Sequence, residues 1–108
     1  MAGAAILVLT QLPDRASAQS LARSLVEARL AACVSIGTPV ESLYHWQGQI
    51  ETVQEFTVAV KTRSERYAAV EAAILARHPY ELPEIVAVLI IDGLARYLDW
   101  IARETAAS

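Results

Sequence analysis

The residues best placed to do chemistry lie in one short run, His78-Pro79-Tyr80-Glu81-Leu82-Pro83-Glu84. It gathers an imidazole, a phenol and two carboxylates. Imidazole suits copper and zinc, whereas carboxylates suit harder ions. Each proline fixes φ, removes a backbone donor and pushes the residue before it towards extended geometry. The run should therefore be a stiff extended linker. It joins a helix-like segment, Glu65 to Arg77, to the most apolar strand-like segment, Ile85 to Ile91. A carboxylate pair does not by itself specify catalysis. The chain also lacks Cys-x-x-Cys, His-Glu-x-x-His, a Walker loop, Gly-x-Gly-x-x-Gly and Gly-x-Ser-x-Gly.

The elements that must position these groups can be read in order. Ala4 to Leu9 is short, apolar and unbroken, as expected of a strand buried on both faces. Asp14 is placed to cap a helix. In that helix Ala18, Leu21, Ala22, Leu25 and Ala28 form one stripe, and it should stop near Ala31 or Ala32. Cys33 to Ile36 resumes as strand. Gly37, Thr38 and Pro39 predict a bulge or kink before Val40 to Trp46. There Val40, Ser42, Tyr44 and Trp46 share a face, with Leu43 and His45 opposite. Gln47-Gly48 turns the chain into a long strand, Ile50 to Lys61. Thr62 and Glu65 have capping-box spacing. Tyr67, Val70 and Ile74 follow in helical register. Asp92-Gly93 opens a third helix lined by Leu94, Tyr97, Leu98 and Ile101, and Ala106-Ala107-Ser108 is expected to fray.

This order predicts an α+β, ferredoxin-like βαββαβ domain over residues 1–108, with an added C-terminal helix. The chain has 108 residues, 55% of them hydrophobic, with a net charge of −3. That is enough for one core and excludes disorder. No basic stripe points to nucleic acid or an anionic membrane, and the aliphatic first and last strands do not fit an RNA-stacking sheet. No apolar run reaches the length of a membrane span. Met1 to Leu9 carries no positive charge of the kind that begins a signal peptide. The single cysteine, Cys33, cannot form an internal disulfide, which favours a reducing cytoplasm.

In a ferredoxin-like sheet two helices cover one face, and a wet second face should alternate apolar with polar. The first and last strands do not alternate. A bare second face would exceed the few hundred Å² of apolar surface that monomers usually tolerate. One added helix is too small to cover it, so other copies of the chain are expected there, in a closed symmetric oligomer. Trp46 and Trp100 are candidate anchors, although either could belong to the chain's own core.

The runs Thr10-x-x-Pro13, Arg29-Leu30-Ala31-Ala32-Cys33-Val34, Ser42-Leu43-Tyr44-His45-Trp46-x-Gly48-x-Ile50-Glu51, Glu55, Lys61-Thr62, His78 to Glu84 and Tyr97-Leu98-x-Trp100-Ile101 together resemble the CutA divalent-cation-tolerance family. The resemblance implies a ferredoxin-like protomer in a tight homotrimer, similar in architecture to the PII signalling proteins. It also implies a non-enzymatic role in tolerance of copper and other divalent cations, with copper bound by some members. By motif position, the implied inter-subunit cleft residues are Cys33, Tyr44, Trp46, Glu55, Lys61, Tyr80 and Glu84. The copper site of metal-binding members is ascribed to positions held here by Thr10, Arg77 and His78, and only His78 is a good copper ligand.

Other readings stay open at this point. His78 could instead be a helix-terminal histidine favoured by the dipole. His45 fits a solvated strand. Cys33 fits a small buried hydrophobe. Glu55 and Lys61 lie on one face of one strand and would be expected to pair, either structurally across a subunit boundary or around a bound ion. A PII-like sensor holding a small molecule in the inter-subunit cleft is the alternative to metal tolerance.

Overall fold

The structure is a computed structural model that describes residues 3–106, so Ala107 and Ser108 of the expected tail lie outside it. The elements run β1 (Ala5–Leu12), α1 (Arg15–Glu27), β2 (Cys33–Trp46), β3 (Gln49–Arg63), α2 (Tyr67–Arg77), β4 (Ile85–Leu89) and α3 (Ala95–Glu104). The strands form one antiparallel sheet in the order β2-β3-β1-β4, the ferredoxin-like order. Among the described residues no helix is long and apolar enough to cross a membrane.

One side of the sheet carries the core. Ile6, Val8 and Leu12 of β1 and Val58 and Val60 of β3 meet Ala18, Leu21 and Leu25 of α1 and Val70 and Ile74 of α2. Each of these side chains larger than alanine contributes roughly 1.5–3 kcal/mol on leaving water. Asp14 caps α1 as expected, its Oδ1 accepting from the Ser17 N–H at 2.7 Å.

Several boundaries differ from the sequence reading. β1 continues past Leu9 to Leu12, because β3 supplies partners as far as Phe56. α1 ends at Glu27 rather than near Ala31. Arg29 adopts φ 59°, and the Leu30 and Ala31 N–H groups fold back onto the Leu25 carbonyl. This is a helix-ending turn of the kind usually built on glycine, so Arg29 gives no local cue and Ala28 ends up exposed. The capping box does not form. Glu65 turns away, accepting from the Gly3 N–H at 2.8 Å and from Arg63 Nη1 at 3.3 Å. A short 3₁₀ turn, Ser64–Arg66, precedes α2. β4 stops at Leu89. Gly93 and Leu94 precede α3 instead of opening it, with Asp92 Oδ1 accepting from the Gly93 N–H.

The expected bulge is present. Ile36 pairs with Val58 and Pro39 with Phe56, so β2 spends one more residue than β3 between the two pairs. Gln47 and Gly48 both have positive φ, as a two-residue hairpin turn of this twist requires.

The second side of the sheet is not fully covered. α3 lies across the end that holds Lys61 and Arg63, with Ile101 fully buried. Arg63 Nη2 and Arg66 Nε both donate to the Thr105 carbonyl, at 2.8 and 2.7 Å, and Arg29 Nη1 reaches Glu104 Oε1 at 3.0 Å. Leu94 and Tyr97 of the expected helix stripe remain exposed. Trp100 is half-buried, stacked on Tyr97. Burial of β1 and β4 on both faces is not achieved within one chain: Leu7 and Leu9 are half-buried, and Val86 and Val88 are exposed.

The hydroxyls of Thr10 and Thr62 are buried on the core side with no hydrogen-bond partner among the described residues. A buried donor left unsatisfied costs roughly 1–3 kcal/mol. Thr62→Val keeps the shape and removes that group. The expected outcome is a gain of about 1 kcal/mol, seen as a higher urea midpoint at unchanged slope.

Candidate functional site: an aromatic and acidic cavity

The bulge in β2 sets the site. Before it, Cys33 and Ser35 face the same side as Lys61 and Ala59. After it, Val40, Ser42, Tyr44 and Trp46 face the same side as Glu55, Val53 and Glu51. The extra residue thus hands the aromatic half of β2 to the side of the sheet away from α1 and α2. The linker 78–84 closes over that end of the sheet. It is not extended throughout, because the chain bends at Tyr80, Glu81 and Leu82.

His78 explains the bend. It ends α2 with extended geometry, as a residue before proline should. Its Nδ1 accepts from the Tyr80 N–H at 3.2 Å, which leaves Nε2 to donate to the Gln11 carbonyl at 2.7 Å. The ring also packs on Tyr80, with centroids 4.8 Å apart. His78 therefore ties the linker to β1, and both of its nitrogens are engaged.

Between linker and sheet lies a cavity of about 890 Å³. Tyr44, Trp46 and Tyr80 form aromatic walls, and Glu55, Glu81 and Glu84 bring carboxylates. Glu55 is only 5% exposed. Burial, a hydrogen bond with the Glu55 carboxylate and that group's charge push the Tyr80 phenol well above the ordinary tyrosine range.

Five of the seven proposed cleft residues line this one cavity: Tyr44, Trp46, Glu55, Tyr80 and Glu84. Cys33 and Lys61 do not. They face each other across β2 and β3 at the far end, where Lys61 Nζ sits 5.6 Å from the Tyr97 ring centre. Glu55 and Lys61 are six residues apart on one strand, roughly 20 Å at the usual rise, so they do not pair within the chain. His45 is exposed.

Gln11 also lines the cavity and went unrecognised in the sequence. Its Oε1 accepts from Thr57 Oγ1 at 3.0 Å. The alternation of β1, carried two residues past Leu9, is the signal that could have found it.

Thr10, Arg77 and His78 do not converge. Thr10 is buried on the core side, Arg77 reaches Ser20 Oγ on α1 at 3.2 Å, and His78 holds Gln11. Among the described residues no three His, Cys, Asp or Glu side chains are grouped to hold a metal. The chain's own residues do not fit a copper centre at these positions.

The sequence profile of the CutA1 divalent ion tolerance protein family matches residues 6–104. The chain belongs to the CutA1 family. The divalent-cation tolerance protein CutA of Thermus thermophilus is 41% identical over 99 residues, spanning 92% of this chain and 96% of that one. The structure of CutA1 from Oryza sativa matches with a TM-score of 0.93 at 34% identity, covering 97% and 96% of the two chains. That of the periplasmic divalent cation tolerance protein CutA from Archaeoglobus fulgidus matches at 0.91 and 40% identity, covering 94% and 98%. The CutA1 family is named for tolerance of divalent ions rather than for a reaction.

The raised Tyr80 phenol has a measurable consequence. Its proton is held more tightly in the folded chain than in the unfolded one. The stability this supplies is fully present below the unfolded tyrosine pKa of about 10 and is lost as pH rises through the folded value. Folding stability should therefore fall above pH ~10, and Tyr80→Phe should flatten that fall. The same variant should remove the last phase of phenolate absorbance in an alkaline titration. An unchanged last phase would mean that Tyr80 is not the late-titrating tyrosine.

Proposed function

We propose that this chain acts as a non-enzymatic homotrimer in divalent-cation tolerance, in a reducing cytoplasm. Family membership supports the metal connection, and the unpaired Cys33 supports the compartment. The observation that carries the assembly is the hairpin arm. β1 pairs with β3 only from Phe56 onward, so β2 and β3 continue beyond it as a two-stranded ribbon. The protomer is accordingly 44 Å long against 25 and 23 Å across. Isolated two-stranded ribbons are marginal in water. This one also exposes Leu43 and Ile50, at 64% and 69%. Neighbouring copies would cover the arm and the uncovered Val86 and Val88.

Sedimentation should give a particle of three chain masses that persists on dilution. Leu43→Glu, which puts a charge on the arm, should shift it towards smaller species. Folded single chains as the main wild-type species would overturn the assembly.

Copper or another divalent cation would have to be held with ligands from more than one copy, since the described residues of one chain do not group them. His78 could join such a site only by releasing Gln11 or Tyr80. In a calorimetric Cu²⁺ titration we expect equal heats for the wild type and His78→Ala. A lost heat in the variant would instead place the metal at His78.

The cavity supports a second reading, a PII-like role in which a small molecule occupies the cleft. Its volume is in the range of small-molecule sites, several hundred Å³. A ligand should raise the melting temperature, and go on raising it as its free concentration climbs above Kd.

A further inference from the structure

We propose that the cavity between the linker and the β2–β3 arm is a site for an organic cation, a primary ammonium or guanidinium carried on an apolar frame. The proposal rests on reading that cavity as a ligand cleft, and it names the chemistry of the ligand.

The lining has an unusual charge balance. Glu55, Glu81 and Glu84 contribute carboxylates, and none of the described lining residues is Lys, Arg or His. Glu55 sits almost out of solvent and makes no ion pair among the described residues. The Tyr80 phenol, a neutral group, stands beside it. A carboxylate removed from water needs a cation or further donors to offset its lost hydration. The nearest candidate on its own strand, Lys61, is occupied over Tyr97 at the other end of the sheet.

The aromatic walls select among cations. Tyr44, Trp46 and Tyr80 line the same cavity, and aromatic rings attract ammonium and guanidinium groups over their faces. A bare divalent metal would want several converging ligands instead, and the described residues provide no such group. The space is also far larger than one ion, and Leu82 and the two prolines supply apolar wall for a carbon frame. An anionic metabolite would meet three carboxylates and no cation, so the lining rejects it.

A series on one frame tests the charge. Phenethylammonium, 2-phenylethanol and 3-phenylpropionate are titrated calorimetrically into the full-length protein at neutral pH, with Trp46 fluorescence as a second readout. The expected result is saturable binding of the ammonium, about tenfold or more tighter than the alcohol, and no binding of the carboxylate. Glu55→Gln keeps an acceptor for Tyr80 but removes the charge, and should bring ammonium and alcohol to similar affinity. Should that variant fail to fold, Glu84→Gln gives the comparison at an exposed position, where the preference should shrink. A preference unchanged in the folded variant overturns the proposal. Equal binding of all three compounds, or preference for the carboxylate, also overturns it but leaves the cavity as a ligand cleft. Binding of none removes the cleft reading as well.

Discussion

One extra residue between Ile36 and Pro39 decides which way half of β2 faces. Side chains alternate along a strand, so a single inserted residue exchanges the two faces for everything beyond it. Without that insertion Tyr44 and Trp46 would point to the side of the sheet occupied by α1 and α2. Leu43 and His45 would face Glu55 instead. The aromatic walls, the buried carboxylate and the linker across them meet only because the register slips by one at this point. Pro39 eases the slip, because proline has no amide hydrogen to leave unpaired.

The linker answers the bulge from the other side. Its prolines limit where the chain can go, but they do not aim it. His78 aims it by accepting from Tyr80 with one ring nitrogen and donating to Gln11 with the other. Tyr80 is thereby placed against Glu55. An imidazole that looks like a metal ligand in the sequence thus works as a strut, and a phenol that looks incidental becomes the partner of the most buried acid in the chain. Residue type set the candidates here, and hydrogen-bond geometry assigned the roles.

Much of the fold was legible because it rests on periodicity. The stripes Ala18, Leu21, Leu25 and Val70, Ile74 are buried as read, the hairpin turn lies at Gln47-Gly48, and the bulge falls where glycine and proline interrupt β2. What escaped depends on contacts distant in sequence. Arg29 ends α1 in a conformation that usually marks glycine. Glu65 spends its carboxylate on Gly3 and Arg63 rather than on the helix it precedes. At the site, sequence spacing placed Glu55 and Lys61 on one face correctly. Strand rise alone holds them roughly 20 Å apart within one chain, and the lysine lies over Tyr97 of α3 instead. Cys33 was grouped with the cleft by motif position; within one chain it lies at the other end of the sheet, opposite Lys61.

The attachment of α3 carries a different consequence. Arg29, Arg63 and Arg66 come from three separate segments and converge on Glu104 and Thr105. The last turn of that helix supplies the acceptors that let three guanidinium groups sit close together. Proteolysis just ahead of Glu104 would strip away those acceptors and leave like charges crowded at the sheet's end. The clipped chain would then depend on salt for its integrity in a way the intact chain does not.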